Sequence, residues 1–188
     1  MTTRLAQNFR LLVVVLAVTS LSGCATLSAD EQEEHRAELD EMGDRAIAKL
    51  LETRPEISEL LEQCVGYAVI KMQVTKIPLI GGGGGYGVVR DQISGDRSYI
   101  KVSRFEVGGG MGTQKFKVII LFSDQKLLKR AITGSWHFEA GPEAVAGESS
   151  IEDNLNKSGE GYSAFRIGES GAVATVTIRV ARATPYLE

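Results

Sequence analysis

Leu60-Leu61-Glu62-Gln63-Cys64-Val65-Gly66-Tyr67-Ala68-Val69-Ile70-Lys71-Met72 is the stretch on which the fold turns. Up to Leu61 the apolar residues recur every three or four positions. From Val65 onward they recur with period two. The first spacing belongs to a helix with one buried face, the second to a strand. A helical N-terminal part therefore gives way here to a sheet.

Upstream, Leu39, Met42, Ala46, Ile47, Leu50 and Leu51 form one apolar stripe on a charged segment, which predicts an amphipathic helix. Ser28-Ala29-Asp30-Glu31 has the form of a capping box at its start. Thr53-Arg54-Pro55-Glu56 reads as a second box, so the first helix should end near Thr53. A short second helix should then carry Ile57, Leu60 and Leu61. An amphipathic helix can lie on a membrane, but this polar face is mostly Glu and Asp, which anionic headgroups repel. The stripe reads as core.

Downstream, strands are expected over 65–72, 80–90, 98–107 and 116–122, with a turn at Ser94-Gly95-Asp96-Arg97. Two glycine segments stand among them: Gly81, Gly82, Gly83, Gly84 and Gly85, then Gly108, Gly109 and Gly110 running on to Gly112. Ser123 should cap a short helix that turns Leu127, Leu128, Ala131 and Ile132 inward and stops at Gly134. Further strands are expected within 135–147, 161–167 and 171–183. Gly168-Glu169-Ser170-Gly171 should join the last two as a hairpin, and 149–160 reads as a loop. The expected class is α+β: N-terminal amphipathic helices packed on a curved, mainly antiparallel or barrel-like sheet, with one short helix inserted near 124–132.

The chain opens with Arg4, Arg10 and an apolar run over 11–18, too short to span a bilayer, followed by Leu21-Ser22-Gly23-Cys24. This order resembles the lipobox of bacterial lipoproteins, in which the cysteine becomes the acylated first residue after cleavage. The alternative is an ordinary secretory signal with a chance cysteine. On the lipobox reading, 1–23 is a signal peptide, Cys24 is lipidated, and 24–63 comprises the anchor and N-terminal helices. Ala25, where lipoprotein sorting would place Asp for inner-membrane retention, implies an outer-membrane anchor facing the periplasm. The remaining 165 residues suffice for one domain with a real core. Cys64 then has no partner in the chain and reads as a small buried hydrophobe.

The formal charge of −3 is unevenly spread. Residues 25–64 hold 12 acids against 4 bases, 65–130 hold 4 against 11, and 131–188 hold 8 against 4. A basic middle segment can face anionic partners. Equally, the acidic helix can fold back over the basic sheet. Both readings stand at this point.

No arrangement of residues points to catalysis. The five glycines lack the Lys-Ser/Thr of a phosphate loop, and Tyr86-Gly87-Val88-Val89 continues as a strand rather than a helix. Gly134-Ser135-Trp136 and Gly161-Tyr162-Ser163 lack the second glycine of a nucleophile elbow. His35 and His137 have no Cys or His at ligand spacing. No catalytic residue, metal, cofactor or nucleic-acid partner is expected. For the glycine run, the strand character on both sides favours close backbone approach over a phosphate-binding loop.

The motifs Cys64-Val65-Gly66-Tyr67-Ala68-Val69-Ile70, Ile80-Gly81-Gly82-Gly83-Gly84-Gly85-Tyr86-Gly87, Val107-Gly108-Gly109-Gly110-Met111-Gly112-Thr113-Gln114 and Val118-Ile119-Ile120-Leu121-Phe122 occur in this order. Leu127-Leu128, Trp136 and Ala144-Val145-Ala146-Gly147 follow. Together they resemble the SYLF domain, or Ysc84 actin-binding-like family, over 64–188. The resemblance implies a lipid-binding domain. The closing part departs from the family pattern, since 162–183 is rich in Ala, Thr and Val. The N-terminal stretch is acidic where eukaryotic members are basic, so phosphoinositide specificity and actin binding are not implied.

The resulting expectation is a lipid-anchored envelope protein, not an enzyme, whose domain binds membrane phospholipid headgroups. Lys71, Lys76, Arg90, Lys101, Arg104, Lys115 and Lys117 are the candidate contacts. The alternative is an anchored scaffold that binds another envelope protein.

Overall fold

The computed structural model describes the backbone of residues 27–134, 137–145, 161–170 and 174–187, and the side chains of 27–134, 161–168 and 181–187. The lipobox-like segment with Cys24, Trp136, Ala146-Gly147 and the expected loop at 149–160 lie outside the described residues. Residues Glu34–Glu188 form one compact unit.

Helix α1 spans Ala29–Thr53. Its capping box forms as expected: the Ser28 N–H donates to Glu31 Oε2 at 2.7 Å, and the Glu31 N–H donates back to Ser28 Oγ at 3.3 Å. Leu39, Met42, Gly43, Ala46 and Leu50 are its buried residues. The second box does not form. The Thr53 hydroxyl donates backward to the carbonyls of Lys49 and Leu50, at 2.8 and 3.1 Å, and is spent on closing α1. A single 3₁₀ turn, Pro55–Ile57, leads into the short helix α2, Ser58–Gln63.

Among the described residues six strands follow in one open sheet: β1 Gly66–Ile77, β2 Leu79–Asp91, β3 Arg97–Phe122, β4 His137–Val145, β5 Tyr162–Ser170 and β6 Ala174–Pro185. Every described pairing is antiparallel. The α+β class and the mainly antiparallel sheet are as expected, and the sheet is not closed into a barrel.

β3 is one strand of 26 residues, not two strands parted by a glycine break. Its first half pairs with β2, Arg97 opposite Arg90 through Gly108 opposite Leu79. Its second half pairs with β1, Gly112 opposite Lys76 through Phe122 opposite Gly66. The strand therefore passes around the tip of the β1–β2 hairpin. Gly108, Gly110 and Gly112 make the corner, with φ of 140°, 134° and 137°, values that L side chains rarely adopt. The next layer repeats the plan: β6 pairs with the first half of β3 and β5 with the second. A β5–β6 ladder, expected from the Gly168–Gly171 turn, is not among the described pairings, because β3 lies between the two strands.

Helix α3, Gln125–Ile132, is the inserted helix. Its cap is Asp124 rather than Ser123. The Asp124 carboxylate accepts from the N–H groups of Lys126 and Leu127 at 2.6 and 3.3 Å, while the Ser123 N–H donates to the Gly161 carbonyl. Gly134, at φ 74°, lies just beyond the helix end.

Strand alternation divides the core between the two faces of the sheet. One face carries Ala68, Ile70, Met72, Val74, Ile100, Val102, Phe116 and Ile120 against Leu128 and Ala131 of α3. The other carries Tyr67, Val69, Val88, Ile119, Leu121 and Phe165 against Leu39, Met42, Ala46 and Leu50 of α1. They are called here the α3 face and the α1 face.

Candidate functional site

Alternation also sorts the seven cations expected to bind headgroups. Lys76 pairs in register with Gly112, between Val74 and the tip, on the α3 face, and Arg104 lies on the same face with Val102. Lys76 is 2 % exposed; its Nζ lies 3.8 Å from Glu106 Oε2. Arg104 reaches Glu106 Oε1 at 2.6 Å and lies over the Phe116 ring. Arg166 of β5, 6 % exposed, stacks on the same ring at 4.1 Å from its centroid. Two of the expected contacts are thus interior groups beside a buried acid.

Arg90, Lys71, Lys101, Lys115 and Lys117 lie on the α1 face, where the helix divides them. Near the base of the hairpin the acids of α1 cover the sheet: Arg90 pairs with Asp44 at 2.7 Å, and Arg97 pairs with Asp40. The Tyr99 hydroxyl also donates to Asp40, at 3.2 Å. Farther along the same strands no helix among the described residues covers the face. There Lys71, Lys101 and Lys115 are exposed and Lys117 is half-buried. Lys71 sits directly opposite Lys117, and Lys115 opposite Gln73. The Lys101 ammonium lies 5.8 Å from the centroid of the exposed Tyr86 ring. Exposed Arg182 of β6, opposite Ser103, joins them. Among the described side chains on this open part of the face there is no carboxylate. Arg182 was not expected from the sequence, since placing it needs the β3–β6 register, which no local pattern supplies.

The five-glycine segment lies inside β2, paired with β1 on one side and β3 on the other. The ladders on its two sides engage its backbone N–H groups, so it is not a phosphate-binding loop. Gly83 and Gly85 belong to the α3 face, and a Cβ on them would overlap the carbonyl oxygens of Gln73 and Lys71. Gly82 and Gly84 belong to the α1 face, where they leave a bare backbone floor between the lysines of β1 and those of β3.

At the far end the surface becomes apolar. Ile77, Leu79 and Ile80 of the hairpin tip, with Phe105, Val107 and Met111 of β3, are all exposed. Ile77 pairs with Ile80, and Ile80 with Val107.

Cys64 is buried beneath α1, donates its thiol hydrogen to the Leu61 carbonyl at 3.2 Å, and borders a hollow of about 230 Å³ lined also by Tyr162 and Ser163. Burial pushes its thiol pKa up, away from the reactive thiolate. Among the described residues no cluster of His, Cys, Asp and Glu could hold a metal ion, and no helix is long and apolar enough to cross a membrane.

No family model matches the chain. Beta cell expansion factor A of Aeromonas veronii is similar to it, 26 % identical over 152 residues. The match covers 81 % of this chain and spans 58 % of that protein's length.

Proposed function

We propose that this is a lipid-anchored envelope protein that rests the open part of its α1 face on an anionic phospholipid surface, without catalysing a reaction. The observation that carries the reading is the grouping of Lys71, Lys101, Lys115 and Arg182 on a stretch of sheet that no described helix covers, with no described carboxylate among them. Basic groups near an anionic membrane contribute about 1 kcal/mol each. Four acting together make a useful attraction, which suits a flat patch better than a pocket. The lipobox-like Leu21-Ser22-Gly23-Cys24 supports an anchor that keeps this face beside a membrane. The resemblance to SYLF domains supports phospholipid as the partner.

Vesicle co-sedimentation of the full chain carrying Cys24→Ser tests the reading. Binding should require anionic lipid and weaken with added salt, because exposed charges are screened beyond about 8–10 Å near physiological ionic strength. Combined Lys71→Glu, Lys101→Glu and Lys115→Glu should abolish the salt-sensitive part, whereas any contribution of the apolar N-terminal run is the same in parent and variant. Equal binding to neutral vesicles defeats the reading. So does capture of a discrete envelope protein by a chain that ignores anionic vesicles, which would make it a scaffold.

A further inference from the structure

The turn at the hairpin tip pairs two apparent faults at one residue. Ile77 and Ile80 close the β1–β2 ladder around Pro78-Leu79. Proline followed by a residue at positive φ is the type II pattern, whose second central position is usually glycine. Here that position is Leu79, at φ 80°. A bulky side chain in the left-handed region is a backbone outlier. The same side chain is 70 % exposed, so packing within the described fold does not hold it there. Outliers of this kind persist where something outside the local backbone requires the residue. Ile77, Ile80, Phe105, Val107 and Met111 surround it with further exposed apolar surface.

From these observations we infer that the hairpin tip, with Leu79 at its apex, inserts into the acyl-chain boundary of an anionic phospholipid membrane. The inference rests on the membrane-docking reading above and assigns it a depth and an orientation. Charge complementarity selects this occupant. Arg182 opposes Ser103, two residues before Phe105 on β3, and Lys101 and Lys115 stand four residues from Phe105 and Met111. At about 3.3 Å per residue these cations lie about 7–13 Å from the apolar level. Apolar faces of interfacial segments sink about 5–10 Å into the headgroup boundary. Leu79 thus reaches the first acyl carbons while the cations stand at the phosphates. Phe105 and Val107 rest between them.

The full chain carrying Trp136→Phe and Leu79→Trp places the chain's single tryptophan at the apex. Vesicles of phosphatidylglycerol and phosphatidylcholine, with acyl chains brominated close to the headgroup, should shift its emission to the blue and quench it at least two-fold. In the Trp-free background, Leu79→Gly should melt at or above the parent temperature yet bind the vesicles at least five-fold more weakly. A structural role for Leu79 would move both readings together. Vesicles that bind without quenching the apex tryptophan of the Leu79→Trp variant overturn insertion and leave surface docking standing. No binding to anionic vesicles overturns both. A blue shift that grows with protein concentration in the absence of lipid shows the tip covered by a second copy, and overturns insertion as well.

Discussion

The two faces of this sheet are made by alternate residues of the same strands, and they treat charge in opposite ways. On β1, Lys71 is exposed on the α1 face while Lys76, five residues on, is buried on the α3 face beside Glu106. On β3, Lys101 is exposed while Arg104 is tucked against Glu106 and the Phe116 ring. Counting bases along the chain, as the net charge of the middle segment does, merges these populations. The parity of each position separates them, because a strand turns successive side chains to opposite faces. A basic segment is therefore not a basic surface.

The sharpest way to break this comparison is to disturb the acid that the α3 face holds. Glu106 takes Arg104 at 2.6 Å and lies 3.8 Å from Lys76, with all three side chains largely buried. Removing one partner of a buried ion pair typically costs about 3–5 kcal/mol. Glu106→Gln should lower the unfolding free energy by that amount, seen as a lower urea midpoint at unchanged m-value. Lys71→Gln, on the opposite face of the sheet, should change the unfolding free energy by no more than about 0.5 kcal/mol. Equal losses would mean that the two populations of cations are not distinct.

The glycines of β2 sharpen the same contrast without charge. A Cβ on Gly85 would overlap the Lys71 carbonyl oxygen, whereas one on Gly82 meets only the Arg104 carbonyl oxygen at 3.8 Å, an ordinary contact. Gly85→Ala should cost about 1–3 kcal/mol through overpacking. Gly82→Ala should gain about 0.4–1 kcal/mol by restricting the unfolded chain. Opposite signs in thermal melts three residues apart are the expected result.

Much of this was legible in the sequence, and what was missed has identifiable physical causes. The change from helical to alternating spacing at Cys64-Val65 placed the helices and the sheet, and the Leu39–Leu50 stripe is the face that α1 buries. Ser28 and Glu31 form the capping box that their spacing predicts. Local patterns failed where a residue had two choices. Thr53 bonds backward instead of forward, and Asp124 outcompetes Ser123 for the cap of α3. They failed again where the answer is non-local. The glycines at 108, 110 and 112 look like a break but make a corner, because a continuous β3 is stabilised by ladders on both sides. Alternation alone could have set Lys76 and Arg104 apart from Lys71 and Lys101. Arg182 and the cover that α1 gives Arg90 required the register and the helix position.

The covered part of the α1 face should also reveal itself by pH. Burial pushes up the pKa of the Cys64 thiol and of the Tyr67 phenol, both beneath α1. A raised value in the folded state means that folding favours the protonated form. The associated stability is therefore complete below the ordinary thiol value of about 9 and is lost as pH rises through the raised values. The urea midpoint should hold steady up to about pH 9 and decline above it. Cys64→Ala, although less stable throughout, should show a shallower alkaline decline. An equally steep decline in that variant would assign the effect to the tyrosines.

The smallest effects test the divide that α1 makes on its own face. Arg97 and Lys101 stand four residues apart on the same side of β3, one turned to Asp40 of the helix and the other to solvent and Tyr86. The Arg97 side chain is 48 % exposed and that of Asp40 19 %, so Arg97→Ala should lower the melting temperature only slightly. Vesicle binding should hardly change, because that charge is already balanced by Asp40. Lys101→Ala should leave stability within about 0.5 kcal/mol of the parent. It should weaken binding to anionic vesicles by about 1 kcal/mol, or roughly five-fold. Each variant removes one positive charge, so the net charge of the chain falls equally in both. Equal weakening would show that the membrane senses only the total, and the open end of the face would lose its special standing. The crossed result, stability lost in one and binding lost in the other, is what a helix covering half of a basic face predicts.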